Sequence, residues 1–253
     1  MFVQLENKIK ILYKITLTTK KSREMKNKKL IVFNLRGTLI LSYDQVIGLW
    51  CEAIKDVGLS PDFNIIFQNW DKPFRDFILP LLAEKGAWVN GKKIPWTEEQ
   101  KTAVIKKGEE FFHDLHFNSL ANLPKKILEL KDAGYELGII TNRSTEFFED
   151  FMADIELKAD IFSFIKTGDD DIKKPDPRVF NGALEKFEAK DIVFVGDSPE
   201  TDLVAAISND IDFIAIESAP FPKGLFKSKG IHESLIFTSV IKFINAMISA
   251  KKL

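Results

Sequence analysis

The sequence predicts an α/β fold: a doubly wound parallel sheet with helices on both faces and a mainly helical insertion after the first strand. Short apolar runs alternate with helical patterns from residue 123 onward, which is typical of a parallel sheet. Residues 60–120 contain no convincing strand pattern. The chain has 253 residues, of which 45% are hydrophobic and 29% are charged. This composition indicates a globular protein large enough for one domain that carries a smaller insertion.

The first strand and the insertion come first along the chain. Leu30–Phe33 is a continuous apolar run before a polar loop, so it predicts a buried strand. A helix is predicted next, ending at Gly58, because apolar residues recur there at helical spacing: Val46, Leu49, Trp50, Ala53 and Val57. A second helical stretch is predicted around Val104–Leu115. We therefore expect a mainly helical insertion over residues 43–120.

The second half of the chain has a regular pattern. Pro124 can begin a helix that ends at Gly134. The strands predicted after it are Leu137–Ile140, Phe162–Lys166, Ile192–Val195 and Phe213–Ile216. A closing amphipathic helix is predicted from the apolar residues Val240, Phe243, Ile244, Met247 and Ile248. Residues 30–42 and 121–253 are thus expected to form one α/β core around the insertion.

The N-terminal segment, residues 1–29, differs from the rest in charge. It contains nine Lys or Arg residues and two Glu residues, whereas the whole chain has a net charge of -1. Alternating apolar residues from Ile9 to Leu17 allow an extra edge strand. We interpret the segment as a basic extension without a chemical role, with a tether to acidic surfaces or nucleic acid as the alternative.

Charge and cysteine usage exclude several classes of function. The balanced charge gives the chain as a whole no electrostatic footprint for nucleic acid or membrane, so neither is expected as a partner. No apolar run approaches the roughly 18 residues needed to span a bilayer. Cys51 is the only cysteine and cannot form an internal disulfide, which favours a reducing compartment. We expect a cytoplasmic protein.

Polar residues follow four of the predicted strands, where parallel sheets bind their ligands. The segments are Asn34-Leu35-Arg36-Gly37-Thr38, Thr141-Asn142-Arg143, Lys173-Lys174-Pro175-Asp176-Pro177, and Gly196-Asp197 with Asp202. In their order and spacing they resemble the haloacid dehalogenase superfamily, specifically its phosphatase branch with a helical cap inserted after the first strand. The resemblance covers about residues 30–250.

The resemblance implies hydrolysis of a small phosphorylated molecule with the help of Mg²⁺. A phosphate ester is a shielded anion, so a carboxylate that attacks it needs a cation alongside. The family uses an aspartate nucleophile and a second aspartate, two residues later, as acid and base. The resemblance assigns phosphate binding to Gly37, Thr38, Thr141, Asn142 and Lys174, with Thr141 and Lys174 also catalytic. It assigns the metal to Asp197 and Asp202, whose hard oxygen atoms suit Mg²⁺.

Two catalytic positions depart from the family pattern. The nucleophile position holds Asn34, an amide that cannot form an aspartyl-phosphate. The acid and base position holds Arg36, whose guanidinium does not exchange its proton at ordinary pH. The charges of Asp197, Asp202, Lys174 and Arg36 sum to about zero, against about -3 for the family pattern. We therefore expect weakened or lost Mg²⁺ affinity and an impaired phosphatase.

Several alternatives remain open at this point. The chain can be a pseudoenzyme that binds an anion or a protein, or the silenced form of a hydrolase that is active with its original residues. Arg36 either pairs with Asp197 or Asp202 and plugs the site, or binds a phosphate without metal together with Lys174 and Thr141. Arg143 either contacts the ligand or forms a surface salt bridge.

Overall fold

The computed structural model describes residues 27–41, 43–69, 74–89, 92–113, 115, 120–217 and 223–251. The edge strand expected near the N-terminus lies outside these residues. The chain divides into two compact units. Ser42–Phe117 form the inserted unit, and the chain before and after it forms the core unit. No helix in the described ranges is both long enough and apolar enough to cross a membrane.

The strands of the described chain form one sheet of six and one of two. In chain order they are β1 Leu30–Phe33, β2 Ala87–Val89, β3 Lys92–Ile94, β4 Glu136–Ile140, β5 Phe164–Lys166, β6 Ile192–Gly196, β7 Asp212–Ile216 and β8 Ile236–Phe237. The larger sheet has the order β5-β4-β1-β6-β7-β8, and all its neighbouring strands are parallel. Because the chain winds outward from β1 in both directions, the predicted doubly wound α/β fold is confirmed.

β1 is the central strand of this sheet, since it pairs with β4 on one side and β6 on the other. Leu30 lies opposite Glu136 and Ile192, which fixes the register of all three strands. All four residues of β1 are fully buried. A continuous apolar run is what a parallel strand covered on both faces requires, which is why the sequence identified this strand well.

The helices follow the predicted alternation. In chain order they are α1 Tyr43–Asp56, α2 Phe63–Gln68, α3 Leu79–Lys85, α4 Glu98–His113, α5 Leu123–Asp132, α6 Thr145–Asp154, α7 Asn181–Leu184, α8 Val204–Ile207, α9 Leu225–Ser228 and α10 Val240–Lys251. α5 has a proline in its first turn and ends before Gly134, whose φ of 86° suits glycine. α10 buries four of the five residues of the predicted apolar stripe, with Ile248 half-buried. Its Phe243 ring lies 6.4 Å from the Phe33 ring of β1.

The inserted unit has its own apolar core. Helices α1 and α4 pack against each other, and buried side chains such as Ile54, Ile66 and Val104 fill the space between its elements. The Trp50 ring stacks on the Phe74 ring with 3.6 Å between the ring centroids. Gly108 of α4 lies against Trp50 so closely that an added Cβ would be 1.9 Å from the indole. The unit is thus held by one continuous cluster of its own side chains.

The expectation that residues 60–120 contain no strand is wrong. β2 and β3 form an antiparallel hairpin in which Ala87 lies opposite Ile94 and Val89 lies opposite Lys92. Each strand has three residues, too few to show the alternation that reveals a strand, and β3 is exposed along its length. The sequence between the strands is Asn90-Gly91, the commonest two-residue hairpin connection. That dipeptide was the feature of the sequence that could have predicted the hairpin.

Candidate active site

Three polar side chains directly follow three neighbouring strands of the core unit. Asn34 comes after β1, Thr141 after β4, and Asp197 after β6. Because β1 lies between β4 and β6 and all three are parallel, their carboxyl ends meet at one edge of the sheet. All three residues are buried. The fold therefore brings Asn34 together with residues that are more than 100 positions away in the sequence.

Asn34 lies at the centre of this site. Its backbone N–H donates to the Val195 carbonyl at 2.8 Å, which continues the pairing of β1 with β6. Its side-chain Nδ2 donates to Asp197 Oδ1 at 2.6 Å and to the Arg36 carbonyl at 2.7 Å. Its Oδ1 accepts from Lys174 Nζ at 2.7 Å. One neutral amide thus links a carboxylate on one side to an ammonium on the other.

The loop after β1 forms a tight turn beneath Asn34. The Leu35 carbonyl accepts from the Leu39 N–H at 2.8 Å and from the Ile40 N–H at 3.0 Å. Gly37 has a φ of 88°, a left-handed conformation that glycine adopts without strain. Thr38 is fully buried, and its Oγ1 donates to Asp197 Oδ1 at 3.0 Å. The turn thus supplies Asp197 with a second donor.

Lys174 is a buried cation with three contacts. Its Nζ donates to Asp202 Oδ1 at 2.6 Å as well as to Asn34, and it lies 5.4 Å from the centre of the Phe194 ring. Asn142 holds the lysine backbone from both sides. Its Nδ2 donates to the Lys174 carbonyl at 2.9 Å, and its Oδ1 accepts from the Lys174 N–H at 2.8 Å. In the structure the Asn142 amide therefore positions Lys174, whereas the sequence placed it among the phosphate-binding residues.

Asp202 is fully buried, and both of its carboxylate oxygen atoms accept hydrogen bonds from the protein. While Oδ1 accepts from Lys174, Oδ2 accepts from the N–H groups of Asp197 and Ser198 at 3.0 and 3.2 Å. Gly196 makes room for this carboxylate, since a Cβ there would lie 2.5 Å from Asp202 Oδ2. Asp202 thus fixes the loop after β6 and compensates the charge of the buried lysine.

Thr141 has a hydroxyl that can serve a ligand. Its backbone N–H donates to the Lys166 carbonyl at 2.9 Å, and its Oγ1 accepts from the Arg143 N–H at 3.1 Å. Within the described residues, no acceptor takes the hydroxyl proton of Thr141. The hydroxyl can therefore donate to an oxygen atom of a bound anion.

The Arg36 side chain is half-buried, and its backbone forms a bridge with Ile40. The plug hypothesis pairs its guanidinium with Asp197 or Asp202. The contacts described above already give these two carboxylates other donors: Asn34, Thr38, Lys174 and backbone N–H groups. Plugging by Arg36 stays a prediction. In the structure Lys174 compensates the charge of Asp202, and Asp197 Oδ1 accepts hydrogen bonds from the neutral Asn34 and Thr38 side chains.

Arg143 borders the site, and the sequence left its role open. Its carbonyl accepts from the Gly168 N–H at 2.7 Å, and its guanidinium lies over the Phe147 ring, 5.8 Å from the ring centre. Burial lowers the pKa of the guanidinium below its ordinary value. No carboxylate in the described ranges forms an ion pair with it. Arg143 is thus a partly desolvated cation whose backbone contacts the Thr141 hydroxyl.

The donor set bears on whether the site can hold a metal. In the part of the chain that the structure describes, no group of three His, Cys, Asp or Glu side chains is placed to hold a metal ion. Asp197 and Asp202 are the carboxylates of the site. Asp197 Oδ1 accepts from an amide and a hydroxyl. Asp202 accepts from the Lys174 ammonium through Oδ1 and from two backbone N–H groups through Oδ2. Asn34 Oδ1 likewise accepts from Lys174.

The architecture defines a class of protein: an α/β protein with a doubly wound parallel sheet and a mainly helical insertion after its first strand. A model of the haloacid dehalogenase-like hydrolase family matches residues 71–216, which is more than half of the chain. The chain belongs to that family. The resemblance found in the sequence is thereby confirmed.

Curated relatives of the chain are phosphatases. The chain is 29% identical over 189 residues to a phosphoglycolate phosphatase of Vibrio cholerae, covering 72% of this chain and 81% of that protein. It is 33% identical over 200 residues to a glyceraldehyde 3-phosphate phosphatase of Pyrococcus furiosus, covering 72% and 78%. A crystal structure of a predicted phosphoglycolate phosphatase from Haemophilus somnus superposes with a TM-score of 0.68 at 20% identity, covering 87% of this chain and 97% of that one. The chain thus has a phosphatase scaffold of the haloacid dehalogenase type.

Proposed function

We propose that this chain is a phosphatase scaffold that does not hydrolyse phosphomonoesters, because the amide of Asn34 stands at the nucleophile position and is held between Asp197 and Lys174. The observation that supports the proposal is the amide bridge. Asn34 donates to Asp197 at 2.6 Å and accepts from Lys174 at 2.7 Å. This amide stands where the resemblance puts an attacking carboxylate. An amide so held has no negative charge and no nucleophilic oxygen to offer.

The second change acts in the same direction. Arg36 stands at the position of the acid and base, and a guanidinium remains protonated at any pH at which the protein is folded. Neither the attack nor the proton transfer of the family reaction therefore has a group to perform it. Both positions lie in the loop after β1. Substitution of these two residues is therefore sufficient to abolish catalysis by the family reaction.

The residues present do not fit a magnesium ion. Mg²⁺ prefers near-octahedral coordination by oxygen atoms that carry or share negative charge. Here Asp202 uses one oxygen for Lys174 and the other for two backbone N–H groups. Asp197 Oδ1 already accepts from Asn34 and Thr38. A cation entering the site would also meet the ammonium of Lys174, so no step of the proposed function involves the metal.

The ligand class follows from the donors and from the relatives. Thr141 offers a hydroxyl, and the ammonium of Lys174 has a third N–H beside those that it gives to Asp202 and Asn34. Such donors suit the oxygen atoms of a phosphate group without a metal. The relatives named above act on phosphoglycolate and on glyceraldehyde 3-phosphate. We infer that the ligand of this chain is a small phosphorylated molecule that is bound and not turned over.

Steady-state hydrolysis of an aryl phosphate in the presence of Mg²⁺ tests the proposal. The original chain is compared with Asn34→Asp, with Arg36→Asp and with the double variant. We expect no turnover above the buffer blank for the original chain and measurable turnover for the double variant. Turnover by the original chain that depends on Mg²⁺ would contradict the proposal, whereas inactivity of all four proteins would show that the scaffold has lost more than these two groups.

A further inference from the structure

We propose that Arg143 forms a second anion-binding subsite beside the phosphate site, so that the ligand carries a phosphate and one further anionic group. The inference rests on the ligand class proposed above and specifies it. It uses three features of the structure: the backbone contact of Arg143 with Thr141, the absence of an acidic partner in the described chain, and the contact of its guanidinium with Phe147.

The backbone of Arg143 is held in place from two sides. Its N–H donates to Thr141 Oγ1 at 3.1 Å, which ties it to the hydroxyl expected to contact phosphate. Its carbonyl accepts from Gly168 at 2.7 Å. Gly168 packs so tightly on this segment that an added Cβ would lie 2.3 Å from the Asn142 carbonyl oxygen. Arg143 therefore keeps a constant distance from Thr141 without help from a ligand.

The charge of Arg143 is not compensated by the described protein. Arg75 and Arg178 donate to Glu109 and Asp176, each with 2.6 Å between the charged atoms. Arg143 has no such ion pair with any residue that the structure describes. Burial lowers the pKa of its guanidinium, which indicates that the group is partly desolvated. A partly desolvated cation without a counter-charge gains more from an anion than an exposed, paired arginine does.

The guanidinium of Arg143 keeps its N–H donors for a ligand, since none of them donates to an acceptor within the described residues. The Phe147 ring centre lies 5.8 Å from the central carbon atom of the guanidinium, within the range of a cation–π contact. The five N–H donors of arginine lie in one plane as a fixed fork. A carboxylate or a second phosphoryl group can accept two of these hydrogen bonds at once.

Calorimetric titration of the full chain in Mg²⁺-free buffer tests the proposal with matched probes. Phosphoglycolate carries a carboxylate, and 2-hydroxyethyl phosphate replaces it with an alcohol of similar size. Pyrophosphate replaces it with a second phosphoryl group. We expect phosphoglycolate, pyrophosphate or both to bind at least about tenfold more tightly than 2-hydroxyethyl phosphate, as a charge-assisted bidentate contact implies. Whichever probe binds more tightly identifies the source of the second anionic group.

Substitutions assign the preference to Arg143. Arg143→Gln should remove the tenfold preference and leave the affinity for 2-hydroxyethyl phosphate within about twofold. Arg143→Lys should retain part of the preference, since it keeps the charge and loses the planar fork. Arg75→Gln removes an equal charge from an arginine that already has a partner, and it should leave the preference intact. Thermal unfolding of each variant verifies that it is folded.

Equal affinity of the original chain for the charged and neutral probes would overturn the inference, and so would a complete failure to bind all three. An equal loss in Arg75→Gln would show a general charge effect and would overturn it as well. Hydrolysis of a probe by the original chain would contradict the proposed lack of turnover and leave the subsite to be judged from the same affinity ratio. The lack of turnover and the preference for a second anionic group therefore fail separately, whereas a failure to bind all three probes would contradict the proposed ligand class as well.

Discussion

Replacing Asn34 with aspartate exchanges an amide for a carboxylate of nearly the same shape. Because Asn34 Nδ2 lies 2.6 Å from Asp197 Oδ1, the variant brings two carboxylate groups together. At a charge separation of about 4 Å and an effective dielectric constant near 20, their repulsion is about 4 kcal/mol. The new carboxylate gains a comparable attraction from Lys174, whose Nζ lies 2.7 Å from Asn34 Oδ1. These two effects nearly cancel.

The remaining difference is the lost hydrogen bond to Asp197. A hydrogen bond to a charged group contributes about 1.5–3 kcal/mol. We therefore expect Asn34→Asp to lower the free energy of unfolding by about 2 kcal/mol in Mg²⁺-free buffer at neutral pH. Urea unfolding followed by circular dichroism measures this value, with the exposed Asn181→Asp as a control for the added charge, expected within about 0.5 kcal/mol of the original chain.

The same experiment with Mg²⁺ tests the physical reason for the loss. A divalent cation should restore the stability of Asn34→Asp, since it can compensate the charge of the two neighbouring carboxylates. It should leave the original chain unchanged. A variant that is as stable as the original chain without divalent cations would refute the reasoning that the hydrogen bond from Asn34 to Asp197 stabilises the site.

Three further predictions concern the packing around the site and in both units. Asp202→Asn should cost about 3–5 kcal/mol in urea unfolding, because it leaves Lys174 with an uncompensated buried charge and cannot accept from all the donors that the carboxylate serves. Gly108→Ala should destabilise the chain by about 1–3 kcal/mol, since the Cβ meets the Trp50 ring, and a stabilisation would contradict this packing. Burial raises the pKa of Tyr135 from 10 to about 12, so the stability it supports is complete below pH 10 and is lost as the pH rises towards 12. The free energy of unfolding of Tyr135→Phe should therefore decrease less steeply with pH in this range than that of the original chain. Identical pH dependence in the two proteins would exclude the effect.

The sheet was predictable from the sequence because burial leaves a direct trace in it. β1 is fully buried between two strands, so every residue in it is apolar. The polar residues that follow β1, β4 and β6 were recognisable for a related reason, since parallel strands bring their carboxyl ends together. By contrast, the exposed residues of β3 need no apolar pattern. Only the Asn90-Gly91 dipeptide indicated that hairpin.

The detailed geometry of the site depends on contacts between distant parts of the chain. Asn34 and Lys174 are 140 residues apart, and the sequence does not show which end of the amide faces the lysine. The role of Asn142 was also hidden, because its two hydrogen bonds go to the backbone of Lys174. Residue types in a motif indicate chemistry, but the hydrogen bonds that neutralise a site appear only when its elements are assembled.

Detection of a covalent phosphoryl-enzyme tests the central claim most directly. The original chain and the double variant Asn34→Asp, Arg36→Asp are mixed in excess over an aryl phosphate with Mg²⁺, quenched in acid, digested and analysed by mass spectrometry. The amide of Asn34 cannot accept the phosphoryl group, so we expect no adduct on the original chain and an adduct on the aspartate at position 34 of the variant. A phosphoryl adduct anywhere in the segment Asn34–Thr38 of the original chain would contradict the account.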